Sequence, residues 1–154
     1  MPSIDENLSR LGIELPEPVT PLASYVGFVR QGDLVFISGQ VPVEGGEPIM
    51  TGRLGDAVSL EDGQRCARLC AINILSQLRV ACEGDLERTV RAVRLGGFVA
   101  ATPEFTQHPQ VINGASDLIG EVLGERGAHA RAAVGVASLP RGVPVEVEGL
   151  FAIR

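Results

Sequence analysis

Tryptophan is absent from this 154-residue chain, and its few aromatics are five Phe and one Tyr. With aromatics at 4% and apolar residues at 45%, the core must be built from Val, Leu, Ile and Ala. The same scarcity excludes the aromatic-basic strip on which single-stranded nucleic acids stack. Positive charge is also in deficit. Thirteen basic residues face nineteen acidic ones, a formal net charge of −6. A general nucleic-acid binder needs a basic face to neutralise phosphates, so none is expected as a partner. No run approaches the roughly 18 apolar residues of a membrane span, so no membrane partner is expected either. The opening MPSIDENLSR is polar and acidic, unlike an export signal. Cysteines are few and odd in number, Cys66, Cys70 and Cys82. That count predicts reduced thiols and a cytoplasmic protein. Cys66 and Cys70 share a helical face but have no further ligands in register, so packing is expected rather than metal.

What is present reads as one domain over residues 1–154, with 1–21 as an N-terminal helix and extended arm. Ser3 to Leu11 can form a short helix, capped by Ser3 and ended by Gly12. Pro16, Pro18 and Pro21 then force an extended chain. Tyr25–Arg30 and Leu34–Ser38 flank a turn at Gln31-Gly32-Asp33 and predict a hairpin. Gly39 to Gly55 reads as a loop. A long helix is predicted from Ser59 to Glu83, with Ser59 and Asp62 as a capping box. Its apolar stripe includes Ala67, Cys70, Ile74 and Leu78, with Arg65, Arg68, Ser76 and Arg79 opposite. Asp85–Arg88 reads as a turn, Val90–Ala101 as a strand and Pro109–Leu123 as a second helix. Two strands close the chain, Ala130–Leu139 and Val143–Ile153, on either side of a tight turn at Leu139–Gly142.

This order predicts an α+β fold, a mixed sheet with two helices on one face. In the last strand Val145, Val147, Gly149, Phe151 and Ile153 share one side, toward the helices. Glu146, Glu148, Leu150 and Ala152 take the other, which faces solvent or another subunit. Charges inside strands cost free energy unless solvated or paired. Arg131, Glu146 and Glu148 therefore mark the closing strands as the candidate site, with Arg131 on a strand beside Glu146.

The ending ARAAVGVASLPRGVPVEVEGLFAI resembles the C-terminal signature of the Rid family, the YjgF-like reactive-intermediate deaminases. LVFISGQVP, from Leu34, resembles the family's early strand and its Ser-Gly-Gln-apolar-Pro end. Tyr25 and Asn113, the latter within VINGASDL, align with the family's Tyr and helix Asn. The extended N-terminus is similar to that of a longer subgroup. The resemblance implies a chorismate-mutase-like fold, a homotrimer with clefts between subunits, and no metal or organic cofactor. It implies hydrolysis of enamine or imine intermediates such as 2-aminoacrylate to a 2-keto acid and ammonia. Arg131 would clamp a substrate carboxylate and Glu146 would handle water and protons. Tyr25, Asn113 and the backbone at Ala132 and Ala133 would complete substrate binding. Two positions depart from the family's pattern: Ser138 stands where Arg usually precedes Leu-Pro, and Ala133 where Cys is common.

Plainer readings stand beside these. Arg131 can pair with Glu146 or Glu148 across the sheet and stabilise a trimer. Glu148 reads as an interface residue. Tyr25 can be packing and Asn113 a loop-anchoring amide. His108 and His129 read as a helix-start and a strand-entrance residue. The whole protein can be a non-catalytic trimer that binds small carboxylates. The endoribonuclease label often attached to the family fits its acidic charge poorly.

Overall fold

A five-stranded mixed sheet carries the fold, in the order β1 (Phe28–Gln31), β2 (Leu34–Gln40), β7 (Val145–Ile153), β5 (Thr89–Ala100), β6 (Ala130–Val136). The computed structural model describes residues 1–21 and 23–154. Helices α2 (Leu60–Ala81) and α3 (His108–Leu123) cover one face, as the alternation in β7 predicts. Val145, Val147, Phe151 and Ile153 are buried beneath them, while Glu146, Glu148, Leu150 and Ala152 are only half-buried on the other side. The core is aliphatic, with Ile74, Leu75, Leu78, Leu95, Ile112, Leu118 and Ile119 all fully buried. Each such side chain contributes about 1.5–3 kcal/mol relative to exposure.

Strand pairing departs from expectation at the closing segment. β6 and β7 do not form a hairpin, because β5 lies between them. β6 runs parallel to β5, with Arg131 opposite Leu95, and β7 runs antiparallel to β5, with Glu146 opposite Phe98. The unit β5–α3–β6 is a parallel crossover, with α3 as the connection and β6 beside β5. The tight turn is a short 3-10 segment, Pro140–Gly142, with Arg141 at φ +58°.

The long loop expected after Gly39 contains a small ribbon, β3 (Val43–Glu44) and β4 (Glu47–Pro48). The Gly45-Gly46 pair, both at positive φ, makes its turn. At the head of α2, Ser59 Oγ accepts from the Asp62 amide, yet the return half of the capping box is missing. The Asp62 carboxylate lies 3.7 Å from Arg65 instead.

The N-terminal segment is tied down. In α1 (Ile4–Arg10) Ser3 and Glu6 form a reciprocal cap, worth about 1 kcal/mol. Ile4 and Leu8 are buried, and Asn7 Nδ2 donates to the Val122 carbonyl of α3 at 3.0 Å. The arm then crosses α2, where Gln77 Nε2 donates to the Val19 carbonyl. Ser76, expected on the solvent side of α2, is buried and donates to the Ile72 carbonyl.

Candidate functional site

Arg131 projects from edge strand β6 on the helix side, since its partner Leu95 is a buried helix-facing residue. α3 receives it. Nη1 donates to Asn113 Oδ1 at 2.8 Å and to Ser116 Oγ at 3.1 Å, and Nη2 donates to the Pro109 carbonyl at 3.3 Å. A guanidinium has five N–H groups. Among the described residues these three bonds leave the Nε proton and one Nη2 proton for a ligand. The fork is therefore oriented in advance, with two donors left over, the number that a carboxylate accepts in a bidentate pair.

Behind the guanidinium lies a pair that sequence reasoning passed over. His129 Nδ1 is 2.6 Å from the Gly127 carbonyl, so in the neutral ring Nδ1 carries the proton. Nε2 is then an acceptor, 2.9 Å from Ser116 Oγ. Ser116 gives its proton to His129 and turns its lone pairs toward Arg131. The signal in the sequence was the spacing of Asn113 and Ser116, three apart on one helical face.

Ala132 and Ala133 follow on β6, the first exposed and the second half-buried against the core. They point to opposite faces, so only their backbone groups can serve one ligand. His108 begins α3, as expected, with its ring over Gly135 and edge-on to Phe105 at 5.5 Å between centroids.

Glu146 stands elsewhere. It lies two strands from Arg131 and on the opposite face of the sheet, which excludes the expected side-by-side pair. Its carboxylate lies over Gly39, where a Cβ would collide with Oε1. The register of β2 against β7 shifts between Ile37 and Gln40, and this bulge opens the space. Burial pushes the Glu146 carboxyl above its ordinary value, and the nearby Glu148 adds to the rise. Glu148 itself pairs with Arg94 at 3.5 Å, in keeping with a structural role.

Glu146 and Tyr25 line the same cavity, of about 740 Å³. Its walls include the arm residues Pro16 to Pro21, the β2 end Gly39–Val41, and Leu69, Ile72 and Asn73 of α2. Tyr25 is half exposed, at 53%. The structure thus brings the predicted residues together as two groups, Arg131 with Asn113 and Glu146 with Tyr25.

The uncovered sheet face bears half-exposed Val29, Phe36 and Val134. No helix is long and apolar enough to cross a membrane among the described residues. The three cysteines are free and buried. Burial pushes the Cys66 thiol up to about 11, Cys70 well above its ordinary value and Cys82 upward. All thirteen basic residues are arginines, so no lysine is available to form a Schiff base.

Comparison with known proteins agrees with this architecture. Protein TCP17 of Trypanosoma cruzi is 48% identical over 149 residues, spanning 96% of this chain and 92% of its own. The crystal structure of Atu1372 from Agrobacterium tumefaciens is also 48% identical, with a TM-score of 0.92 over 98% of this chain and 92% of that one. RidA from an Antarctic Psychrobacter is 26% identical, with a TM-score of 0.61 over 89% of this chain and 94% of its own. The family model described as "YjgF/chorismate_mutase-like, putative endoribonuclease" matches residues 5–147, and the chain belongs to that family.

Proposed function

We propose that the protein is a homotrimeric hydrolase that converts enamine and imine intermediates to 2-keto acids and ammonia. The observation that carries this reading is the guanidinium of Arg131, held by Asn113, Ser116 and Pro109 with two donors left over. A carboxylate bound there fixes the adjoining imine carbon in place. The reaction needs a water beside that carbon and a group to move its protons. Glu146, partly desolvated and raised in pKa, suits both tasks. Water adds to the imine carbon, a proton passes to nitrogen, the C–N bond breaks, and keto acid and ammonia leave. The absence of lysine accords with attack on a free imine rather than on one bound to the protein.

Because Arg131 and Glu146 lie on opposite faces of one sheet, a working site needs Arg131 of one subunit and Glu146 of its neighbour. The half-exposed apolar residues Val29, Phe36 and Val134 supply a surface for such an assembly. A closed cyclic trimer repeats this heterologous contact three times.

Mixing inactive subunits tests the whole reading. Arg131→Ala and Glu146→Gln proteins, each inactive alone on 2-aminoacrylate, are unfolded together and refolded. Random assortment regenerates about a quarter of the sites if the two residues come from different chains. No recovery on mixing would exclude a shared site. No turnover by the wild-type protein would exclude the reaction.

Ala133 and Ser138, at positions where the family has Cys and Arg, favour a second reading. A trimer with a thinner site could bind small carboxylates without turning them over. Calorimetry showing 2-ketobutyrate binding that depends on Arg131, with no imine hydrolysis, would select it.

A further inference from the structure

The cavity beside Glu146 is large for a three-carbon substrate. At about 740 Å³ it falls within the range of roughly 300–1,000 Å³ that encloses drug-sized ligands. Its floor is aliphatic, made by Leu69 and Ile72 of α2 with Val41 at the end of β2. Its roof is the proline-rich arm, held in place by the bond from Gln77 to Val19. Three prolines keep this roof extended at little entropic cost. Glu146 lines the same cavity, so a carbon placed for attack near Glu146 has this apolar floor within the same enclosure.

We propose that the cavity holds the side chain of the substrate, and that the protein acts on 2-imino acids with bulky hydrocarbon side chains, branched or aromatic, in preference to 2-aminoacrylate. This rests on the imine-hydrolase reading and names its substrate class. The N-terminal segment is then a specificity element: α1 anchors the arm on α3, and the arm closes the side-chain pocket.

Product acids serve as probes. Calorimetry compares pyruvate with 4-methyl-2-oxopentanoate and phenylpyruvate on the full-length protein. Burying the added carbons should tighten binding by roughly tenfold or more, at about 0.8 kcal/mol per buried CH₂. Ile72→Trp and, separately, Leu69→Trp fill the floor and should remove that preference, so that the longer acids bind no more tightly than pyruvate does to the same variant. Both side chains are only partly buried, and circular dichroism checks their folding.

Equal affinity of the wild type for all three acids would overturn the proposal. Measurable hydrolysis of 2-aminoacrylate in that case leaves the hydrolase reading standing. A retained preference for long acids with no hydrolysis of any imine, including those generated from leucine and phenylalanine by an amino-acid oxidase, would remove the reaction and keep the pocket.

Discussion

Arg131 Nη1 lies 2.8 Å from Asn113 Oδ1, so the strand edge and α3 jointly fix one guanidinium. A hydrogen bond to a charged group contributes about 1.5–3 kcal/mol, roughly 10- to 150-fold in an equilibrium. Arg131→Ala should abolish binding of 2-ketobutyrate. Asn113→Ala should weaken it by about tenfold and raise KM while leaving kcat nearly unchanged, because orientation is lost and the charge remains. Arg131→Lys should behave like Arg131→Ala, since an ammonium cannot offer the fork. Calorimetry and initial-rate kinetics distinguish these outcomes. Full affinity in Arg131→Ala would move the carboxylate site elsewhere.

On the proposed reading Ser116 and His129 reach the substrate only through Arg131, which makes them positioning residues. Ser116→Ala should weaken carboxylate binding by a few-fold. His129→Gln should do less, because its amide can still bond Ser116. The effect should fall on KM rather than kcat. Unchanged KM in both variants would show that the His129–Ser116 bond is structural only.

Glu146 links the site to stability. Its folded pKa is raised, so the native state holds this proton more tightly than the unfolded chain. Stability is then lost as pH rises from the ordinary glutamate range through the raised value. Glu146→Gln has no such charge to desolvate. Thermal unfolding should show the variant more stable than the wild type at pH 7, with the gap closing near pH 4. Hydrolysis should be lost in the same variant. A variant less stable at pH 7 would mean that the carboxylate is paired and contributes to the fold.

The sequence made some of this arrangement visible and hid the rest for physical reasons. Period-two alternation placed Val145, Val147 and Phe151 under the helices and Glu146 and Glu148 away from them, as found. Burial patterns are local, so they are legible. Strand neighbours are not local. Arg131 and Glu146 are close along the chain and read as neighbours across a hairpin, yet β5 comes between them. The competing signal was strand, helix, strand from Thr89 to Val136, the pattern of a parallel crossover. Ser76 was misplaced for a related reason. A helix stripe predicts solvent opposite the core, and the N-terminal arm meets α2 at the next residue, Gln77. The Ser116–His129 pair was hidden because α3 and the start of β6 meet only in three dimensions.

Phe36 is 48% exposed on the sheet face that no helix covers, opposite Leu150 of β7. Its ring contributes little to the core of one subunit, so replacing it should spare the fold. Phe36→Arg should place a charge in an apolar contact, where desolvation is costly. Sedimentation velocity should show a shift from trimer toward monomer with unchanged far-ultraviolet circular dichroism. On the proposed reading, in which Arg131 and Glu146 of different subunits share a site, hydrolysis should fall with the assembly. Val134→Arg, at 46% exposure on β6, should have the same two effects. A monomeric variant that keeps full activity would break the link between assembly and catalysis.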